Sequence, residues 1–393
     1  MKITFIGQKG IPALAGGVER HVEELALRLA KQPDTEVVAY TRPWYTAKAL
    51  QFHQGIRLVS LPSLYSKHLD AISHSLFSII HAAFVERADI IHIHAVGPAL
   101  LTPIARLLRP KAKVVVTFHC LDRQHQKWGK LAKLMLWLGE WTTMRFAHEV
   151  IAVSTTLKHY SYEAYGRVVR YIPNGASLNQ PLPASIIEQQ FGLAKDSYIL
   201  MVSRLVRHKG AHHLIRAYQQ MDPTIRGNKK LVIVGDSAFT DQYVEEVKQL
   251  AGNDDRIIFT GLQTGKALQE LFSNAYCFVL PSESEGLPIV LLEAGSYGKA
   301  LVASDIPANR EVVENHGMLV PVGDVDELRQ ALEQIVVSPE LATELGALAR
   351  NLVMEYYLWD NVAADTHQLY QELLQWYTHT RERDHEKQLA TIR

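Results

Sequence analysis

Arg204 and Lys209 lie five residues apart, after an apolar, β-branched run at 198–203 and before a helical pattern that opens at Gly210. A guanidinium fork and an ammonium at such a strand-to-helix loop can both reach a diphosphate. Arg207 and His208 stand between them, so the loop also reads as a solvated basic turn. A second run, 276–280, leads into Pro281-Ser282-Glu283-Ser284-Glu285-Gly286-Leu287-Pro288. Pro288 suits a first helical turn, where a missing N–H costs nothing. Glu285 then falls in the loop before the helix, and Glu293 about a turn and a half inside it. One carboxylate could bind sugar hydroxyls and the other a ribose. Alternatively, Glu283 or Glu285 is simply a favourable charge near a helix N-terminus. Glu293, among Leu291, Leu292 and Ala294, needs a partner if it is buried.

The first half has its own candidates. Gly7, Gly10, Gly16 and Gly17 separate an opening strand from a helix starting near Val18-Glu19. A glycine loop feeding a helix N-terminus is either a phosphate cradle or a plain turn with a glycine cap. Its spacing is not the dinucleotide fingerprint, so nicotinamide or flavin binding has no support. His119 ends the run Val114-Val115-Val116-Thr117-Phe118. It could donate to a sugar or phosphate oxygen, act as a base, or be a satisfied core histidine. His92 and His94 share one face of a strand, but no acidic third ligand stands beside them, so no metal site is expected.

These residues need a frame. Strands are predicted at 2–6, 36–41, 56–60, 89–94, 113–119 and 149–154, then at 198–203, 230–235, 256–260, 276–280 and 300–304, with a last one near 318–320. Most are continuous apolar runs, as strands buried on both faces should be. Amphipathic helical patterns alternate with them, which implies parallel sheets with right-handed crossovers. The alternation breaks between 171 and 197, where Pro173-Asn174-Gly175, Pro181 and Pro183 mark the interdomain linker. Everything after Asp324 reads as helix, and 379–393 as a charged, solvated one. In doubly wound sheets, ligands bind beyond the carboxyl ends of the strands, where the singled-out residues cluster.

Two domains suit a chain of 393 residues. Lysine plus arginine (41) balances aspartate plus glutamate (41), so no nucleic-acid partner is indicated. Two isolated cysteines, Cys120 and Cys277, fit a reducing compartment. The N-terminus lacks a signal-peptide pattern and no stretch approaches the roughly 20 apolar residues of a membrane span, so a cytoplasmic location is expected.

The sequence resembles the retaining, nucleotide-sugar-dependent glycosyltransferases of family 4, of the bacterial surface-polysaccharide type. The resemblance is carried by Gly16-Gly17-Val18-Glu19, His119 after Val-Thr-Phe, Ile172-Pro173-Asn174-Gly175, and Ser203-Arg204-Leu205 with Lys209-Gly210. Gly235-Asp236, Phe259-Thr260-Gly261, and Glu285-Gly286-Leu287-Pro288 leading to Glu293-Ala294 complete it. It implies an α/β GT-B fold: two Rossmann-like domains, each with a parallel sheet, and the donor in the interdomain cleft. The implied layout is an acceptor domain at 1–178, a nucleotide-sugar domain at 179–357 and helices at 358–393 crossing back to the first domain. It also implies that Arg204 and Lys209 hold the diphosphate, with the Gly16 and Gly17 amides approaching it. Glu285 would contact donor-sugar hydroxyls, Glu293 the ribose, and the backbone around Leu262 the base, with Gly286 and Leu287 in the donor loop. His119 would lie near the transferred sugar. The expected reaction uses no cofactor or metal beyond the nucleotide sugar, and the acceptor is a saccharide or a lipid-linked one. Two rivals remain: a sugar-nucleotide epimerase on the same scaffold, which needs no acceptor, and, of a different class, a non-catalytic bilobal sugar-binding protein.

A peripheral membrane contact is also expected. The segment 123–145 places Trp128, Leu131, Met135, Leu138 and Thr142 at helical spacing, flanked by Leu134 and Trp141, with Lys127, Lys130 and Lys133 in its first turns. Interfacial helices carry this combination, but so does a core-facing helix with snorkelling lysines.

Overall fold

The computed structural model describes residues 1–64, 66, 69–121, 123, 129–237 and 240–391, with side chains up to residue 375. It divides into two compact units: Met1–Pro173 with Asp360–Arg393, and Asn174–Trp359.

Unit 1 is built on strands β1 (Lys2–Ile6), β2 (Glu36–Thr41), β3 (Phe52–His53), β4 (Ile56–Ser60), β5 (Ile90–His94), β6 (Lys113–Phe118), β7 (Glu149–Ala152) and β8 (Arg170–Tyr171). Their order is β3-β4-β2-β1-β5-β6-β7-β8, parallel except for the β3–β4 pair. Unit 2 carries β9 (Tyr198–Val202), β10 (Lys230–Val234), β11 (Ile257–Gly261), β12 (Cys277–Leu280), β13 (Ala300–Ser304) and β14 (Met318–Val320), ordered β11-β10-β9-β12-β13-β14 and all parallel. Central strands such as β5, β6 and β13 are buried at every residue, whereas the edge strand β11 is only half-buried along most of its length. Helices covering both faces of a parallel sheet produce that gradient.

In each unit the first strand is central, and successive connections leave it in opposite directions. The switch points lie between β1 and β5 and between β9 and β12. That divergence opens a crevice at the strands' carboxyl ends. A glycine closes the loops at each. Gly7 (φ +113°) follows β1, and a Cβ there would lie 2.2 Å from the His94 carbonyl oxygen. Gly210 (φ +76°) would place a Cβ 2.0 Å from the Pro281 carbonyl oxygen. Only glycine fits either position.

The segment read as a linker contains more structure than expected. Residues 174 onward belong to unit 2, and a short helix, Ile186–Phe191, lies within the segment. Its first amides are taken by a distant carboxylate: Glu270 Oε2 accepts from the N–H groups of Ser185 (3.0 Å), Ile186 (2.7 Å) and Ile187 (3.2 Å). A cap supplied from 83–85 residues away leaves no local pattern. The two-residue strands β3 and β8 were likewise unexpected, being too short for any periodicity.

The helix expected over 123–145 begins at Lys130 and runs to Phe146; Lys127 and Trp128 lie outside the described residues. Its packed face differs from the expected stripe. Gly139, Glu140, Thr142, Thr143 and Met144 face inward, and a Cβ on Gly139 would lie 2.1 Å from the Val96 carbonyl oxygen. Thr142 Oγ1 donates to Ala99 O at 3.0 Å. Small residues bring this helix close to its neighbours and turn the large apolar side chains outward. Leu131, Leu134, Met135, Trp137 and Trp141 are exposed.

Candidate active site

In unit 2 the predicted cationic pair stands at the β9–β12 switch point. Arg204 lies just past β9, exposed, and its guanidinium makes no hydrogen bond or ion pair among the described residues. The Arg204 loop is anchored behind it. Leu205 N–H donates to Asp236 O (2.9 Å), and Thr240 Oγ1 donates to Leu205 O (2.7 Å). Lys209 is engaged: its Nζ lies 2.5 Å from Glu285 Oε1, with side-chain exposures of 14% and 8%. The two loops are also tied through backbone, Glu283 N–H donating to His208 O at 2.8 Å. Residues 76 apart in sequence, read separately as a phosphate contact and a sugar contact, thus form one unit, and the free charge is Arg204.

The Glu285-Gly286-Leu287-Pro288 loop is clamped from below. Asn174 Nδ2, buried, donates to Leu287 O at 2.7 Å. On the other side the Ser304 hydroxyl donates to Ser282 O, and Asn309 Nδ2 holds Ser304 O at 2.8 Å. Glu293 sits half-buried inside the helix Ile289–Ser296, which starts after Pro288. Leu262 follows β11 and is exposed. Arg204, Lys209, Glu285, Gly286 and Leu287 therefore share one pair of loops, while Leu262 stands at the end of a different strand.

In unit 1 the glycine loop enters the helix Gly17–Leu29. The first backbone bond inside that helix is Arg20 N–H to Gly16 O at 3.1 Å, so the preceding amides have no intrahelical acceptor. Tyr45 Oη fixes the loop by accepting from Leu14 N–H (2.7 Å) and Ala15 N–H (3.2 Å). Glu19 Oε1 accepts from Lys9 N–H at 3.2 Å, and a Cβ on Gly16 would lie 2.2 Å from Glu19 Oε2. A carboxylate thus already sits at the positive end of this helix, beside the expected anion contact at Gly16 and Gly17.

His119, one residue past β6, is buried within a histidine group. Its Nε2 lies 3.0 Å from His94 Nδ1, and its ring meets the His21 ring edge-on at 4.8 Å. His92 is separate in role: Nδ1 pairs with Tyr370 Oη at 2.6 Å and Nε2 with Thr117 Oγ1 at 2.7 Å. It is a satisfied core histidine tying the last helix to β5. Burial holds His92, His94 and His119 well below the usual imidazole range, so each is neutral near pH 7. His21 was missed by sequence reasoning. The signal was its position one turn after Gly17, on the face that looks toward the strand ends.

The similarity to known proteins runs through both units. The family described as Glycosyltransferase Family 4 matches residues 15–180, and Glycosyl transferases group 1 matches residues 185–352. Alpha-maltose-1-phosphate synthase of Mycolicibacterium smegmatis is 27% identical over 402 residues, covering 95% of this chain and 100% of its own. The Escherichia coli UDP-Gal:alpha-D-GlcNAc-diphosphoundecaprenol alpha-1,3-galactosyltransferase is 26% identical over 347 residues, covering 85% of this chain and 88% of its own. Among solved structures, sucrose-phosphate synthase of Thermosynechococcus elongatus superposes with a TM-score of 0.79 at 23% identity, covering 95% of this chain and 98% of the other. Two parallel-sheet units with these relatives define a GT-B glycosyltransferase, and the chain belongs to family 4 of that class. It is a hexosyltransferase-type enzyme. Among the described residues no helix is long and apolar enough to cross a membrane.

Proposed function

We propose that this enzyme is a retaining glycosyltransferase of cell-surface polysaccharide synthesis, working on a lipid-linked or saccharide acceptor at the cytoplasmic face of a membrane. The observation that carries the chemistry is the unpartnered Arg204 beside the Lys209–Glu285 pair at the unit 2 switch point. As the glycosidic bond breaks, negative charge grows on the leaving diphosphate. Arg204 and Lys209 stabilise it, with Gly16 and Gly17 amides as a further contact, and such preorganised charge is the largest catalytic contribution in many enzymes. Glu285 aims the Lys209 ammonium while turning its second oxygen to the sugar hydroxyls. Glu293 serves the ribose, Leu262 backbone the base, and His119 the transferred sugar. No metal is required, because two side-chain cations supply the charge. Front-face attack, in which the leaving phosphate takes the acceptor proton, retains the anomeric configuration.

Turnover of a nucleotide sugar with acceptor, in wild type and in Arg204→Ala, tests this. The variant should lose about 10²–10³ in kcat, as loss of one oxyanion donor does. Sugar release or isomerisation without acceptor would point instead to an epimerase, and unimpaired transfer in the variant would remove Arg204 from the chemistry.

The membrane half of the proposal rests on the helix Lys130–Phe146. Leu131 (74% exposed), Leu134 (50%), Trp137 (41%) and Trp141 (43%) share its outer face with Lys130, while its only carboxylate, Glu140, is fully buried. The helix Thr102–Leu108, packed against it, exposes Leu107, and the helix Asp70–Phe84, packed in turn against Thr102–Leu108, exposes Phe77 and Phe84. Tryptophan and leucine at a lysine-lined surface suit an anionic lipid interface. The Escherichia coli relative, which by its name acts on a diphosphoundecaprenol acceptor, supports an acceptor presented there. Wild type should co-sediment with vesicles containing phosphatidylglycerol, less so at high salt, and Trp137→Ser/Trp141→Ser should stay in the supernatant. Concentration-dependent dimerisation abolished by the same double variant, without vesicle binding, would instead make the face a self-association surface.

A further inference from the structure

His21, His94 and His119 come from three separate elements: the helix after the glycine loop, the end of β5 and the residue after β6. All three are buried, and one ligand nitrogen from each lies within 4.8 Å of the others. Their ring centroids form a near-equilateral triangle of 4.8, 5.3 and 5.5 Å. An ion about 2.0–2.1 Å from three imidazole nitrogens in tetrahedral geometry sets the rings roughly 5 Å apart. The frame is therefore close to the bound arrangement, and small ring rotations complete it.

A second observation points the same way. His94 Nδ1 and His119 Nε2 face each other at 3.0 Å, a separation that one proton or one cation can bridge. His94 Nε2 is buried with no hydrogen-bond partner. A polar nitrogen left without a partner in a dry site is costly, and ligation changes which nitrogen carries the proton. Three neutral imidazoles and no carboxylate among the three are a donor set for zinc and its borderline neighbours rather than for magnesium or calcium. His92 stays outside the set, since both of its nitrogens are engaged.

We propose that His21, His94 and His119 form a three-nitrogen site for a zinc-type divalent cation, and that its occupation inhibits sugar transfer. The site would keep a fourth position open for water or a substrate oxygen. Inhibition follows because ligation consumes the lone pair of His119 and fixes its ring; this half rests on the role given to His119 above. The enzyme would then run metal-free and be reversibly shut down by zinc.

Two readouts separate the site from the role of His119. With tag-free, EDTA-treated full-length protein, isothermal titration with zinc and visible absorption with cobalt should give one ion per chain, with tetrahedral cobalt bands between 500 and roughly 700 nm. His21→Gln, which removes a ligand, should weaken zinc binding by more than the about tenfold to hundredfold that loss of an outer-shell partner costs, and folding of that variant is checked by circular dichroism. His119→Gln provides a second, less buried truncation of the set. His213→Ala controls for the other cluster, His212, His213 and Glu283, and should leave the stoichiometry unchanged. No binding by wild type, or binding lost in His213→Ala and kept in both other variants, overturns the site. Stoichiometric zinc with full transfer activity would leave the site standing and remove His119 from transfer.

Discussion

At the scale of single residues, the candidate site works through pairs that hold one another. Asn174 illustrates this: its buried Nδ2 donates to Leu287 O, and that bond helps fix the loop bearing Glu285. Asn174→Ala leaves a carbonyl without its donor and should cost about 1–3 kcal/mol of unit 2 stability. Transfer should fall more than nucleotide affinity, because Arg204 keeps its own anchors. Equilibrium denaturation together with nucleoside-diphosphate titration checks both; an equal loss in affinity and in kcat would mean that the loop does not position Glu285 independently. Glu285→Gln makes a second residue-scale test. It removes the charge facing Lys209 but keeps an acceptor, so nucleoside diphosphate should bind at least as tightly as in wild type while transfer drops. Weaker binding in that variant would assign the pair to nucleotide recognition alone.

At the scale of elements, the sequence made the parallel-strand cores legible because buried strands are long apolar runs between turn residues. The position of Arg204, Lys209 and Glu285 on strand-end loops was legible because such loops follow the ends of apolar runs. What escaped was anything fixed by a distant partner. The helix Ile186–Phe191 owes its start to Glu270, which lies in the helix Gly265–Asn274. His21 belongs to the histidine group only because β5 and β6 bring His94 and His119 to it. The packed face of Lys130–Phe146 escaped for the same reason: which side is buried depends on Gly139 meeting Val96, a contact no helical wheel shows. Glu270 permits a clean test. Replacing it with glutamine removes a charged acceptor for three amides and should cost about 1.5–3 kcal/mol. Because that carboxylate's bonds go to the 185–187 amides rather than to the switch-point loops, kcat at a permissive temperature should hold. A thermal melt equal to wild type would show the cap to be dispensable.

At the scale of the whole molecule, acid should be the condition that unfolds it, and buried histidines set the sign. His74, fully buried beside the Arg42–Asp70 ion pair, is pushed down to about 4 by desolvation first and the Arg42 charge second. Burial also pushes His148 and His212 down to about 4, with neighbouring cations adding to it. Each is neutral in the folded chain, whereas an unfolded chain takes up a proton below the ordinary imidazole value of about 6.5. The unfolded state then binds more protons, so stability rises with pH in this window. It is intact above about pH 6.5 and lost as pH falls toward 4. Each histidine contributes a slope of about 1.4 kcal/mol per pH unit below that point. By pH 5.5 the two in one unit contribute at most about 3 kcal/mol, against the 5–15 kcal/mol that ordinarily holds a domain together. Two of the three, His74 and His148, lie in unit 1 and His212 lies in unit 2. Calorimetry should therefore show both transitions moving down between pH 7.5 and pH 5.5, the unit 1 transition further. His74→Gln should flatten that dependence for unit 1 alone, since glutamine takes up no proton in either state. A melting temperature independent of pH across this range would mean that these imidazoles take up protons as readily in the fold as in the unfolded chain.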